Sequence, residues 1–476
     1  VSRSAFRVLV PSRAVPRLAR WRQCLPAALA GWLAGAMLLP AMASCVDDDA
    51  AVQRAALPGL AEAAPALVEG GRAALRTLVQ SALARSAAVG AARLNAEAAD
   101  QDTDEARAAR RPQASANASV GPTLSRAEGV TDSAAARAAG SLSLSQLISD
   151  GGRTDRLVDF RERLADAARL GLLGSQEQTV VDTVSQALER SRFRVQAQVQ
   201  GQHVRQMGCL VQSLEQIVAT DRGRASELVQ ARKGLQQAEL TLASTQSQLR
   251  QAEQRLRRLV GDPLPDGPSP DAALAALPQA VPALAQVQAE AERAPAIAAL
   301  DAQADAAREL ARSVEASTRP QLSWTVSAST HTALGGTAPG GLGRSVSAGL
   351  LLNVPLLAPG ATAATDAARK RAESARLSRD DALQSRRSRI AELHEQAGNA
   401  IDRAHRVAAV LGDSERVRQA TRAQWQQLGR RSLFDVMAAE GEHHGLRQAQ
   451  VDATHDAVQL NALLLSLGRG LQDFLK

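Results

Sequence analysis

The chain switches between two periods of apolar residues, and the switches outline its elements. At 319–329 the text "RPQLSWTVSAS" sets Leu322, Trp324, Val326 and Ala328 against Ser323, Thr325 and Ser327, the period of two expected of a half-wetted strand. The stretch "RPQASANASVG" at 111–121 opens with the same tripeptide and keeps the alternation. Four segments of this kind predict strands at 113–120, 140–148, 321–330 and 344–354. Each has about the length a tilted strand needs to cross a bilayer. The text between the members of each pair is rich in Gly, Ser, Ala, Pro and Thr and suits exposed loops.

From Gly223 the period becomes seven. Leu228, Leu235, Leu242, Leu249 and Leu256 recur, with Ala231, Ala238, Thr245, Ala252 and Leu259 in the companion positions, the seam of a helix packed lengthwise on other helices. A second such helix starts at Gly429. Ahead of these two, Gly152–Thr220 and Gly360–Leu428 hold 69 residues each. As helices they would extend about 100 Å at 1.5 Å per residue. A compact globule has no use for such rods, whereas a chain that crosses the periplasm does.

Arg111 and Arg319, Gly152 and Gly360, and Glu227 and Asp435 are all 208 positions apart, so the order of elements reads as an internal duplication. The expected organisation is a signal peptide at 1–43, a mature N-terminal segment at 44–66, a first repeat at 67–261, a Pro-rich linker at 262–282, a second repeat at 283–470 and a tail at 471–476. Two strands per copy give four per chain, too few to close a barrel without an edge in lipid, so closure needs more than one chain. Ser, Thr, Gln and Asn line one strand face as a wet lumen requires, and Ala, Leu and Val line the other. A soluble sheet wetted on one face fits the same alternation.

Composition supports a helical scaffold. There is no Tyr, and only five Phe and four Trp, which favours close packing through Ala and Leu. The first 43 residues join a basic region (Arg3 to Arg22) to an apolar stretch and the small-residue site Ala41-Met42-Ala43, the pattern of a secretory signal. Pro26 and Pro40 bracket 13 residues, too few for a comfortable membrane helix. Removing six leader arginines leaves 50 bases against 49 acids, so the apparent basicity is no nucleic-acid footprint. Of three cysteines Cys24 leaves with the leader, which excludes a disulfide framework. "MASC" at 42–45 resembles a lipoprotein signal that would acylate Cys45, in competition with the A-x-A site.

Candidate chemistry is sparse. Glu440 and His443 have the Glu-x-x-His spacing of di-iron bundles, but the companion pair Asp452 and His455 falls on the same helix. Solvated helix faces are the expected explanation, with no metal site. "GGRTD" at 151–155 lacks the Lys-Ser/Thr of a phosphate loop and reads as a strand-to-helix turn. No nucleophile, base and orienting group stand at useful spacings, so neither an enzyme nor a cofactor is expected. Ser226 and Ser432, each near a first-turn acid, read as helix caps, and capping by itself would account for Glu227, Arg431 and Asp435.

Together with the duplicated strand pair and helical hairpin, "LSLSQLISDGGRTDRL", "GRASELVQAR", "LRRLVGDPLP" and "LGRRSLFDVMAAE" make residues 67–470 resemble the TolC family of outer-membrane factors. Within that family the chain resembles the members that secrete cyclolysin, the adenylate cyclase toxin and haemolysin. The resemblance implies an α+β membrane protein: a homotrimer with a 12-stranded outer-membrane β-barrel, four strands per chain, set in outer-membrane lipid and continued by a long periplasmic α-helical barrel. It implies the channel of a type I secretion system, docked through a periplasmic adaptor (a membrane fusion protein) to an inner-membrane ABC transporter, with an exported protein toxin as cargo. Drug or metal efflux is the alternative on the same fold, and a periplasmic coiled-coil scaffold without a pore is the alternative from another class.

The resemblance also implies a gate at the periplasmic tip. Arg431 matches a basic residue that ties the inner hairpin to its neighbour, Glu227 matches the acidic partner, and Asp435 matches an acid repeated around the threefold axis. Three carboxylates close together repel, attract cations and raise one another's pKa. The chain departs from the pattern at Ala438, where a second acid is expected, and at Gln426, where a latch tyrosine is expected. Trp324 is the only aromatic residue in the four strands, so the aromatic girdle of a barrel is nearly missing.

Overall fold

The computed structural model describes residues 65–125, 133–264, 280–334, 342–428 and 430–475. The signal peptide, Cys45, most of the N-terminal segment and most of the Pro-rich linker lie outside them. The described elements are helices α1 (Pro65–Arg85) and α2 (Ala87–Ala108), strands β1 (Gln113–Ser125) and β2 (Ser133–Ser149), helices α3 (Arg153–Thr220), α4 (Ala225–Val260), α5 (Leu284–Glu292) and α6 (Pro295–Ala316), strands β3 (Gln321–Leu334) and β4 (Gly343–Asn353), and helices α7 (Ala361–Leu428), α8 (Leu433–Leu467) and α9 (Leu471–Leu475). The duplication is visible in the boundaries. Ala87, Ala108, Gln113, Arg153, Thr220 and Ala225 open or close elements whose counterparts begin or end at Pro295, Ala316, Gln321, Ala361, Leu428 and Leu433, 208 positions on.

Helices α3 and α7 each run 68 residues without a break, about 100 Å of rod. Among the described residues no helix is long and apolar enough to cross a membrane. The seam of α4 differs in detail from the heptad expectation. Its small residues are the buried ones, Ala231 and Ala252 at 0% exposure and Ala238 at 5%, while Leu228, Leu235, Leu242 and Leu249 are half-buried. Alanine lets the neighbouring backbone approach, and the leucines cover the flanks of the contact.

The strands form one antiparallel sheet in the order β1-β2-β3-β4. Strands β1, β2 and β3 outrun the alternation that predicted them, because small residues keep the backbone ladder paired where the apolar contrast fades, as in Thr123↔Ala135, while β4 keeps the expected length and lies one residue earlier. The register carries one chemistry straight across the sheet. Ser115, Ser143, Ser327 and Ser347 are successive partners, with hydroxyl contacts of 2.7 Å between Ser115 and Ser143 and 2.8 Å between Ser327 and Ser347. One rung on, the other face carries Ala116, Leu142, Ala328 and Val346. Gln146 interrupts that apolar face but is occupied: its side-chain oxygen accepts from the Trp324 indole at 3.1 Å, and its amide donates to the Arg110 carbonyl at 3.1 Å. Strands β1 and β4 are left as edges.

The strand-to-helix turn that "GGRTD" predicts is present. Gly151 and Gly152 take φ of 67° and 88°, and Asp150 accepts from the Thr154 backbone at 2.8 Å and hydroxyl at 2.5 Å. A Cβ on Gly151 would meet Arg319 at 2.5 Å, so only glycine lets the start of β3 lie against this turn. The main apolar cluster, which includes Leu75, Leu78, Val180, Val184, Leu188, Leu256, Val458 and Leu471, binds α1, the middle of α3 and the C-terminal parts of α4 and α8 to α9. Glu177 clamps α9 by accepting from the backbone N–H groups of Leu471 and Gln472.

Candidate functional site

The two long hairpins, α3–α4 and α7–α8, turn between Thr220 and Ala225 and between Leu428 and Leu433, and their ends are packed together. Val211, Leu214, Ala231 and Leu433 are buried in one cluster, flanked by Leu210, Leu228, Leu235, Trp425 and Met437. A Cβ on Gly234 would come within 2.9 Å of Met207 Cε and 3.1 Å of Met437 Cε, which shows how closely α4 lies against α3 and α8 at this end.

All three expected gate residues lie at this tip, each held by its own hairpin. Ser432 and Asp435 form a reciprocal capping box. The Ser432 hydroxyl accepts from Asp435 N at 3.2 Å, and Asp435 Oδ2 accepts from the Ser432 backbone and hydroxyl at 3.0 Å each. These bonds, with the Arg431 charge as a smaller contribution, hold the Asp435 carboxyl below the usual range.

Arg431 is exposed and donates from Nε to Gln424 Oε1 at 3.1 Å. Glu227 is half-buried and meets Arg224 at 3.1 Å. That ion pair is poorly aligned, because Glu227 Oε2 is buried with no hydrogen-bond donor among the described residues. Ser226 does not cap α4, which begins at Ala225 after a 3-10 turn capped by Asp221. Ala438 is exposed on α8, and the side chain of Gln426 lies outside the described residues.

Behind the tip the sequence reading needs correction. Glu440, His443 and His455 are not on solvated helix faces but are 7%, 8% and 1% exposed. Arg418, 3% exposed, donates to both oxygens of Glu415 at 2.8 and 2.9 Å and approaches Glu440 at 3.4 Å. His443 Nε2 is 3.2 Å from Glu415. The reason for burial is mutual satisfaction: two carboxylates, a guanidinium and an imidazole close on one another across α7 and α8. His455 is likewise occupied, by Ser191 at 3.2 Å and the Val451 carbonyl at 2.8 Å. Among the described residues no group of three or more His, Cys, Asp or Glu is placed to hold a metal.

One contact had no sequence signal. His203 on α3 and His444 on α8 stack with ring centroids 4.1 Å apart and planes 9° from parallel. Burial depresses both, and with the charges of His203, Arg447 and His443 nearby the His444 pKa falls to about 3. Nearby, Arg192 bridges Asp452 at 2.7 Å and Asp456 at 3.0 Å, and Arg403 reaches Asp456 at 2.8 Å. These pairs tie α3, α7 and α8 together. The arrangement is one of interhelical ion pairs and a buried histidine stack.

Comparison with known proteins agrees. The family model of the outer membrane efflux protein matches residues 78–262 and 286–469, one segment in each repeat. The outer membrane efflux protein BepC of Brucella suis biovar 1 (strain 1330) is 26% identical over 415 residues, covering 85% of this chain and 88% of BepC. Among solved structures, CusC superposes with a TM-score of 0.71 at 19% identity, covering 83% of this chain and 92% of CusC. The outer membrane protein VceC of Vibrio cholerae gives 0.69 at 19% identity, covering 84% and 97%. The chain belongs to the outer membrane efflux protein family, the TolC-like channels, and is a non-enzymatic outer-membrane channel that extends into the periplasm.

Proposed function

We propose that three copies of this chain form the exit duct of a type I secretion system that exports a large protein toxin of the adenylate cyclase and haemolysin kind. The observation that carries the reading is the sheet. Four strands with a hydroxyl face, an apolar face and two unpaired edges suit a twelve-stranded barrel closed by joining β4 of one chain to β1 of the next. Serine rows free of carboxylates give a sliding polypeptide exchangeable hydrogen bonds and few charges to hold it. A periplasmic adaptor and an inner-membrane ABC transporter complete the path and supply the energy.

At the tip, Glu227 Oε2 has no hydrogen-bond donor among the described residues beyond its poorly aligned ion pair with Arg224, and Arg431 is exposed, which supports a Glu227–Arg431 pair between chains that holds the hairpins shut. Asp435 supplies the carboxylate ring. Replacing Asp435 with Asn is expected to reduce cation preference in a planar bilayer, and an unchanged reversal potential in a salt gradient would remove Asp435 from the constriction.

BepC is named an efflux protein, which favours a second reading, export of small toxic compounds. The proteins released by cells with and without the gene separate the two. Loss of one large protein from the medium, with its accumulation inside, supports secretion. An unchanged medium with new sensitivity to small toxic compounds moves the channel to efflux.

A further inference from the structure

The four strands contain no Asp or Glu, and their only charged or titratable side chains are Arg137, His331 and Arg344. Their positions are not scattered. Ser119, Ala139, His331 and Gly343 form one row across the sheet, and Gly121, Arg137 and Ala333 belong to the next row but one along the strands. Both rows lie on the same face as the serine rows, because each is an even number of residues from Ser115, Ser143, Ser327 and Ser347. Arg137 and His331 are therefore diagonal neighbours on adjacent strands, about 7–8 Å apart at the backbone, at the end of the sheet away from the helices. Arg344, in the row of Ala118, Gly140 and Thr330, belongs to the opposite face.

Their surroundings leave these two side chains room. Arg137 lies between Gly121 and Ala333, and His331 between Ala139 and Gly343, where a Cβ on Gly343 would sit 2.4 Å from the imidazole. Both residues are exposed. Glycine and alanine on either side mean that, among the described residues of these two rows, no other long side chain occupies this level of the face.

We propose that the outer mouth of the duct is an anion-recognising ring, built from Arg137 and His331 of three chains, that takes polyanionic solutes such as sulfated or phosphorylated chains. The proposal rests on the trimeric pore reading. Twelve strands spaced about 4.8 Å and tilted about 40° enclose a barrel of roughly 12 Å radius. Arginines projecting from that wall bring their charge within about one Debye length of the axis, roughly 8 Å at physiological salt. A charged ring in a water-filled pore selects by sign, so this one favours exit of anionic cargo segments and opposes entry of polycations from outside.

The test is single-channel recording of the full-length protein with a highly sulfated cyclodextrin added to either side of the membrane, and a neutral cyclodextrin as control. The sulfated probe is expected to block from one side only, more weakly as salt rises, and at least about tenfold more weakly in Arg137→Gln/His331→Gln. Arg137→Glu is expected to exchange this for block by a cationic cyclodextrin. The acids of the neighbouring segment, Glu128 and Asp132, are common to every arm. Absence of stepwise current from the wild type would overturn the pore reading itself. Normal current that the sulfated probe does not block, or blocks equally in wild type and variants, would overturn the ring and leave the pore standing.

Discussion

The two hairpins have nearly the same dimensions and opposite seams. Shifting by 208 positions sets Met207, Leu210 and Leu235 of the first hairpin beside Glu415, Arg418 and His443 of the second. The first three join the apolar cluster at the tip or its flank. The second three, with Glu440, form the buried ionic cluster. Duplication kept the lengths and turn positions, while the chemistry that closes each seam diverged. An apolar seam is indifferent to pH and direction. A buried ionic seam holds only while every member is present and correctly protonated, so the second hairpin is the one whose closure depends on conditions.

The largest effect should come from breaking that ionic seam. Arg418→Ala leaves Glu415 and Glu440 without their common partner in a buried site, and we expect a loss of about 3–5 kcal/mol, read as a lower denaturation midpoint of the assembled protein. Rebuilding the seam in the image of the first hairpin sharpens the comparison. Glu415→Met/Arg418→Leu/Glu440→Leu/His443→Leu should recover most of that loss, because apolar residues of similar volume replace a buried ionic group at little or no penalty. A quadruple variant as unstable as Arg418→Ala would mean that shape, not charge, closes the second hairpin.

The sequence made some of this contrast legible. The 208-residue offset, both long rods, expected at 69 residues and found at 68, the strand pairs and the strand-to-helix turn at Gly151 and Gly152 follow from periodicity and turn chemistry, because backbone preference and the two apolar periods are local properties. The buried cluster was not legible. Glu415, Arg418, Glu440 and His443 are polar at every position, and only the crossing of α7 and α8 reveals that they face one another. The His203–His444 stack joins residues 241 positions apart and leaves no pattern in either helix. Likewise Arg137 and His331 acquire meaning only through the register that puts them on the serine face.

Acid gives the second test, of intermediate size. His444 is neutral in the folded protein, with its pKa depressed from 6.5 to about 3, and burial depresses His203 as well. An unfolded or separated helix would bind protons that the packed one refuses. Stability is therefore full above about pH 6.5 and is lost as pH falls towards 3, by about 2 kcal/mol at pH 5 from His444 alone. Glu415 adds to this in a lower window: despite the burial that opposes ionisation, Arg418 holds its pKa below the ordinary 4.5, so its contribution is present above that value and fades below it. Melting temperature measured from pH 7.5 to 4.5 should fall in the wild type and flatten in His444→Gln. A parallel fall in both proteins would place the acid sensitivity elsewhere.

The smallest effect distinguishes the two turns. Ser432→Ala removes the capping box of α8 and should destabilise the second turn by about 1 kcal/mol, while Asp221→Ala removes the single side-chain bond, to Gly223 at 3.0 Å, that caps the first turn. The Ser432 substitution has a consequence that the Asp221 substitution cannot share. Ser432 supplies both the backbone and the hydroxyl donor that depress Asp435, so losing the hydroxyl should move the Asp435 titration upward and reduce cation preference at mildly acidic pH, before any change at neutrality. Bilayer reversal potentials measured against pH read this directly. If Asp221→Ala and Ser432→Ala shift the titration alike, the box acts only as a cap. If Ser432→Ala alone shifts it, the same capping bonds that start α8 also set the charge of Asp435 at the helical tip.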